Sequence, residues 1–207
     1  MNWRWIYILV VVILLAALAG ELVSLYWQAY QPKQRPCDPL IVEEARETGV
    51  DPFLIRALIW RESKFNPLTH GSADERGLMQ VTPEVGRMWA KANKLPNFQP
   101  DDLYDPQTNI RAGTWYLNRA IRRWSQTDDP VTFALAEYNA GPSNALRWVD
   151  ANNPQDHIAF MDRISYPSTR DYVEKILAQR NDYRLLLAKD PLYSQFAAAD
   201  RSMTQEP

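Results

Sequence analysis

The sequence is poor in the residues that many chemistries need. A single cysteine, Cys37, excludes an internal disulfide, and the preceding Gln34-Arg35-Pro36 is not the small apolar run expected before a lipid-modified cysteine. Only two histidines occur, His70 and His157, far apart in the chain, so no metal-ligand spacing is present and no metal or cofactor is implied. The seven glycines form no phosphate-binding loop, and neither a Gly-x-Ser-x-Gly elbow nor a His-Glu-x-x-His pair occurs. Charge is also scarce in excess. A net charge of -2, without a basic patch interleaved with aromatics, argues against a nucleic-acid partner. Apart from a weak strand between Gly77 and Val81, nothing alternates with period two, and there is no internal repeat.

Apolar length is present at the N-terminus. Trp5 to Ala19 follows Arg4 and allows two readings. As a signal peptide it has a basic start, an apolar centre and a small-residue Ala17-Leu18-Ala19 site. As an anchor it extends to Trp27, covering the ~20 residues a bilayer requires, with aromatics at both ends. We read residues 1–29 as an anchor or signal segment, 30–37 as a linker, 38–190 as one domain, and 191–207 as a flexible tail. Both N-terminal readings imply export, as an anchored chain or as one secreted after cleavage.

The domain is punctuated by Asp38-Pro39, Asp51-Pro52, Asp105-Pro106 and Asp129-Pro130. Each reads as an N-cap followed by a helix start. Helices are predicted from about Pro39 to Thr48, over the stretch after Asp51, from Thr82-Pro83 toward Asn93, and from Asp105. Others follow Asp129, span Ser143 to Val149, and run from Thr169 to about Lys189. The fold class is all-α, a single mainly helical domain behind an N-terminal transmembrane or signal helix.

In the second of these helices, Ile55, Leu58 and Ile59 form an apolar stripe whose next position is Glu62. A carboxylate on that face is anomalous. Burial and the C-terminal end of the helix both disfavour its charged form, which suits a general acid near neutral pH. The plainer reading is a helix-end glutamate turned to water. The 8 Trp and 10 Tyr are many for this length; Trp115, Trp124 and Trp148 are candidates for a sugar platform or for core.

Four blocks add to this: Glu62-Ser63-Lys64-Phe65-Asn66-Pro67, Gly77-Leu78-Met79-Gln80, Asn109 to Leu117, and Ala136-Glu137-Tyr138-Asn139-Ala140-Gly141-Pro142. With the tail block Ile164 to Val173, this order resembles the SLT-type lytic transglycosylases, which have a lysozyme-like helical domain. The resemblance implies cleavage of the β-1,4 bond between N-acetylmuramic acid and N-acetylglucosamine in peptidoglycan strands, leaving 1,6-anhydro ends. Glu62 matches the family's single acid and base, and Tyr138 the tyrosine whose hydroxyl lies against it. Gln80 and Asn139 match groove positions, and Ser63 either contacts substrate or merely closes the helix. Two alternatives stay open. A goose-type lysozyme-like hydrolase would use Asp74 or Glu75 to position water, and a non-catalytic peptidoglycan-binding envelope component would need no buried acid.

Overall fold

A proline in the first turn of a helix loses no hydrogen bond, because the first N–H groups have no partner there. The computed structural model describes residues 3–197, with the backbone path alone for residues 26–35. In it, proline opens seven helices: α2 (Asp38–Thr48), α3 (Pro52–Ser63), α4 (Pro83–Ala92), α5 (Pro106–Arg123), α6 (Pro130–Ala140), α7 (Pro142–Trp148) and α9 (Pro167–Leu187). Several caps are those the sequence implies. Asp51 accepts from the Phe53 amide at 2.8 Å, Asp105 from that of Thr108 at 2.8 Å, and Thr82 from that of Val85 at 3.3 Å. Gly49 ends α2 at φ 76°, a left-handed conformation that costs glycine nothing.

The chain divides into two units, Met1–Pro36 and Cys37–Pro207. The first is carried by α1 (Trp3–Gln34), whose stretch Trp3–Leu25 is 23 residues of exposed, mainly apolar helix. At 1.5 Å per residue that is about 35 Å, enough for the ~30 Å hydrocarbon core of a bilayer. The expected linker differs: α1 continues to Gln34, since one proline removes one donor and need not end a helix. Cys37, assigned to that linker, is buried.

In the second unit, α3 packs against α9 and α2, while α5 packs against α6, α2 and α4, and α6 against α9. Arg56 of α3 fastens this arrangement. It is fully buried, pairs with Asp38, donates to the Tyr193 hydroxyl at 3.4 Å, and lies 4.9 Å and 5.2 Å from the ring centroids of Tyr183 and Phe65. An ion pair this deep costs desolvation, which the enclosing rings partly offset through their negative faces.

Three expectations are corrected here. Asp38 does not cap α2; Cys37 holds that position, and Asp38 turns inward to meet the Arg56 charge. The tail does not fray at Pro191, because Tyr193 is fully buried and stacks on Phe53 at 5.4 Å; residues 198–207 lie outside the described residues. Between Gly77 and Val81 there is no strand, only isolated bridges of Arg76 with His70 and Val81. The sequence reading also lacked α8 (His157–Arg163), which is capped by Asp156 accepting from Ile158 and Ala159.

Gly113 lies inside α5 where a side chain has no room. A Cβ there would stand 2.6 Å from Met79 Sδ and 2.8 Å from Met79 Cβ. The Met79 backbone is held at both polar atoms, by Asn109 and by Tyr138, so it cannot retreat. Gly113→Ala should therefore lower unfolding stability by about 1–2 kcal/mol, overpacking outweighing the helix propensity gained. Urea denaturation measures this, and an unchanged or raised midpoint would show that Met79 can shift.

Candidate active site

The last turn of α3 decides the site. Ile55, Leu58 and Ile59 are fully buried, and the same stripe carries Glu62 onto the floor of a cavity of about 630 Å³. Lys64, left-handed at φ 52°, ends the helix just beyond. The Tyr172 hydroxyl, from α9, donates to Glu62 Oε1 at 2.5 Å. Burial is the main influence on Glu62 and raises its pKa to about 7. The Tyr172 hydrogen bond and the Arg61 charge oppose that rise, and Glu75 adds to it. Burial and the Glu62 charge hold the Tyr172 phenol well above its ordinary range, so it remains a donor.

Facing Glu62 is the loop between α3 and α4, a segment with little regular structure whose backbone polar groups are satisfied by side chains. Buried Asn109 of α5 accepts from the Met79 amide at 2.7 Å and donates to the carbonyls of Arg76 and Leu103, each at 2.7 Å. Gln80, at φ 47°, donates its amide to the carbonyls of Thr69 at 3.1 Å and Gly77 at 2.9 Å. Such a left-handed residue persists because both ends of the turn are tied down. Gly77 is required there: a Cβ would meet the Leu103 carbonyl at 2.3 Å.

Of the residues singled out from sequence, Glu62, Gln80, Tyr138 and Asn139 all line the cavity. Two details differ. The Tyr138 hydroxyl donates to the Met79 carbonyl at 2.9 Å, and the hydroxyl bonded to Glu62 is that of Tyr172. Sequence reasoning gave Tyr172, in the last predicted helix, no role; only the packing of α9 on α3 brings it to the carboxyl. Ser63 does not reach the cavity. Its side chain is buried, and its hydroxyl donates to the carbonyls of Leu78 at 2.8 Å and Ile59 at 3.2 Å, joining helix to loop.

Asn139 Oδ1 accepts from Thr169 Oγ1 at 2.8 Å, which fixes its side chain at the rim. Glu75 lines the cavity beside Glu62, with Oε2 accepting from the Ala73 amide at 2.9 Å. Asp74 turns away to Arg76 at 2.9 Å. Trp124 and Trp148 are core residues, and the Trp124 indole donates to buried Glu137 at 2.8 Å. Trp115 does not line the cavity. Among the described residues, Asp128, Asp156 and His157 bring potential ligand atoms within 4.8 Å of one another, but these carboxylates cap α8 and bond to His157.

The fold and cavity define a helical, lysozyme-like domain with one proton-holding carboxyl at the base of a polar groove. Comparison with known proteins places it further. The family model of the Transglycosylase SLT domain matches residues 39–161, and the chain belongs to that family. Soluble lytic murein transglycosylase of Escherichia coli (strain K12) is 32% identical over 137 residues, 65% of this chain and 21% of that protein. Membrane-bound lytic murein transglycosylase C of Haemophilus ducreyi is 35% identical over 148 residues, 68% of this chain and 38% of that protein. The crystal structure of the 70-kDa soluble lytic transglycosylase SLT70 from Escherichia coli superposes with a TM-score of 0.64 at 28% identity, covering 74% of this chain and 25% of that one. The chain thus spans only about a quarter of that structure's length.

Tyr172→Phe removes the hydrogen bond that favours the Glu62 carboxylate while keeping the ring. The Glu62 pKa should rise from about 7, because the opposing influence is lost and burial remains. Carboxyl carbon chemical shifts followed against pH measure the midpoint directly; an unchanged or lower midpoint would show that the bond does not control the proton.

Proposed function

We propose that the domain is a peptidoglycan lytic transglycosylase in which Glu62 is the single acid and base. The observation that carries this reading is a carboxyl held protonated to about pH 7 at the base of an open groove. Glu62 donates its proton to the glycosidic oxygen as the bond to the muramyl anomeric carbon breaks. The resulting carboxylate then takes the proton of the muramyl 6-hydroxyl, whose oxygen bonds to the anomeric carbon and closes the 1,6-anhydro ring. One group performs both transfers, and no water is consumed.

Tyr172 positions the Glu62 carboxyl and leaves Oε2 for the substrate. Tyr138 holds the Met79 carbonyl and supplies its ring to the groove wall. Gln80 and Asn139 present polar atoms toward the strand. Family membership and the relatives named lytic murein transglycosylases support the substrate assignment. The long apolar stretch of α1 supports a membrane anchor in the cell envelope, as does similarity to a relative named membrane-bound; a peptidoglycan substrate would put the domain on the periplasmic side.

One observation favours a second reading, hydrolysis: Glu75 shares the cavity and its charge acts on Glu62, so it is placed to orient a water molecule. Mass spectrometry of products from digested sacculi separates the two, with anhydro-muramyl ends expected and reducing ends favouring the hydrolase. Glu62→Gln should lower cleavage by about 10²–10⁴-fold, the range of general acid–base catalysis, with the fold retained. Because Glu62 must begin protonated, kcat/KM should fall about tenfold per pH unit above its pKa of about 7. A basic limb that begins well above or below that value, or a Glu62→Gln variant of normal activity, would sink the assignment.

A further inference from the structure

The cavity changes character along its length. Around Glu62 its charged groups are acidic, with Glu75 beside the catalytic carboxyl and Glu84 farther along on α4. At the α5 side it is lined by Arg119 and Arg123, one helical turn apart, with the Tyr116 ring one turn before Arg119. Cleaving a glycosidic bond needs no guanidinium there; sugar hydroxyls can accept from one, but only an anionic substituent matches its charge.

The two arginines are not equivalent. Arg123 approaches buried Glu137 at 3.5 Å, and the same carboxylate oxygen accepts from Trp124. Arg119 is exposed and has no carboxylate within 4.0 Å among the described residues; its guanidinium carbon lies 5.7 Å from the Trp115 ring centroid. Stacking of this kind holds the guanidinium plane while leaving its N–H edge open. Glu84, also in the cavity lining, forms no ion pair with either arginine among the described residues. The result is an exposed cation on the α5 side of the cavity that holds Glu62.

We propose that Arg119, assisted by Arg123, is a specificity-determining residue that binds a carboxylate on the acidic peptide substituent of the glycan strand. This rests on the transglycosylase reading and deepens it: the enzyme would distinguish peptide-bearing strands from stripped ones. Guanidinium is suited to this because its paired N–H groups match the two carboxylate oxygens. Glu62 would then receive a strand whose register is set by its charged substituent.

The test measures binding separately from chemistry. Full-length protein carrying Glu62→Gln is titrated calorimetrically with two muropeptide oligosaccharides of equal length, one bearing acidic peptides and one from which an amidase has removed them. The peptide-bearing strand should bind more tightly, and adding Arg119→Gln should reduce that preference about tenfold, as loss of a charge-assisted contact does. Arg119→Lys should restore only part of it, and Arg119→Gln on the wild-type background should raise KM for peptide-bearing strands far more than it lowers kcat. The assignment is overturned if affinity for both strands falls equally, or if the preference survives Arg119→Gln. Product chemistry is read independently, so failure of the binding preference does not touch the transglycosylase reading, nor the reverse.

Discussion

Removing one carboxyl group from water is the constraint on which the site depends. Glu62 occupies a position that the helix periodicity assigns to the core, so its ionisation is opposed by the loss of water around it. The packing of α9 on α3 supplies both the exclusion of water and the Tyr172 hydroxyl that prevents the carboxyl from being an unsatisfied buried group. These influences act in opposite directions on the same proton. Burial alone would push Glu62 higher, and the Tyr172 hydrogen bond together with the Arg61 charge holds it to about 7.

The opposite wall must be equally fixed, although it is a loop. Its rigidity comes from side chains borrowed from neighbouring elements: Asn109 from α5, Tyr138 from α6 and Ser63 from α3 all bond to backbone atoms between Arg76 and Met79. Three helices therefore converge on one short turn, and Gly113 lets α5 approach closely enough to take part. This explains why several polar residues of the motif blocks hold the cavity wall instead of pointing into it.

Local chemistry was the most legible part of the sequence. Asp-Pro pairs and Thr82-Pro83 mark helix starts because cap and first turn are neighbours in the chain. Asp38 misled the same rule, since its preference was set by Arg56 across the core. The α8 helix carried a signal, Asp156 before Ile158 and Phe160, but seven residues give the periodicity too little length to register. In the site, Glu62 was legible as a charge on an apolar stripe. Which tyrosine bonds to it was not, because Tyr138 and Tyr172 are both inward-facing aromatics and the choice lies in how α6 and α9 meet α3. The buried Tyr193 was hidden for a similar reason: a polar-looking tail gave no hint of the pocket formed by Phe53 and Arg56.

The placement of positive charge follows from the same constraint. A guanidinium close to Glu62 would stabilise its carboxylate and lower the pKa that the proposed acid step requires. Arg61 already does this, and burial together with Glu75 counters it. Arg119 and Arg123 instead act on Tyr116, and neither is among the charges that act on Glu62. If the strand carries anionic substituents, as proposed, its attraction and the retention of the Glu62 proton fall to different residues of the cavity. Under that proposal attraction would come from Arg119 and Arg123 on α5 and proton retention from the end of α3, so substitution of one should leave the other in place.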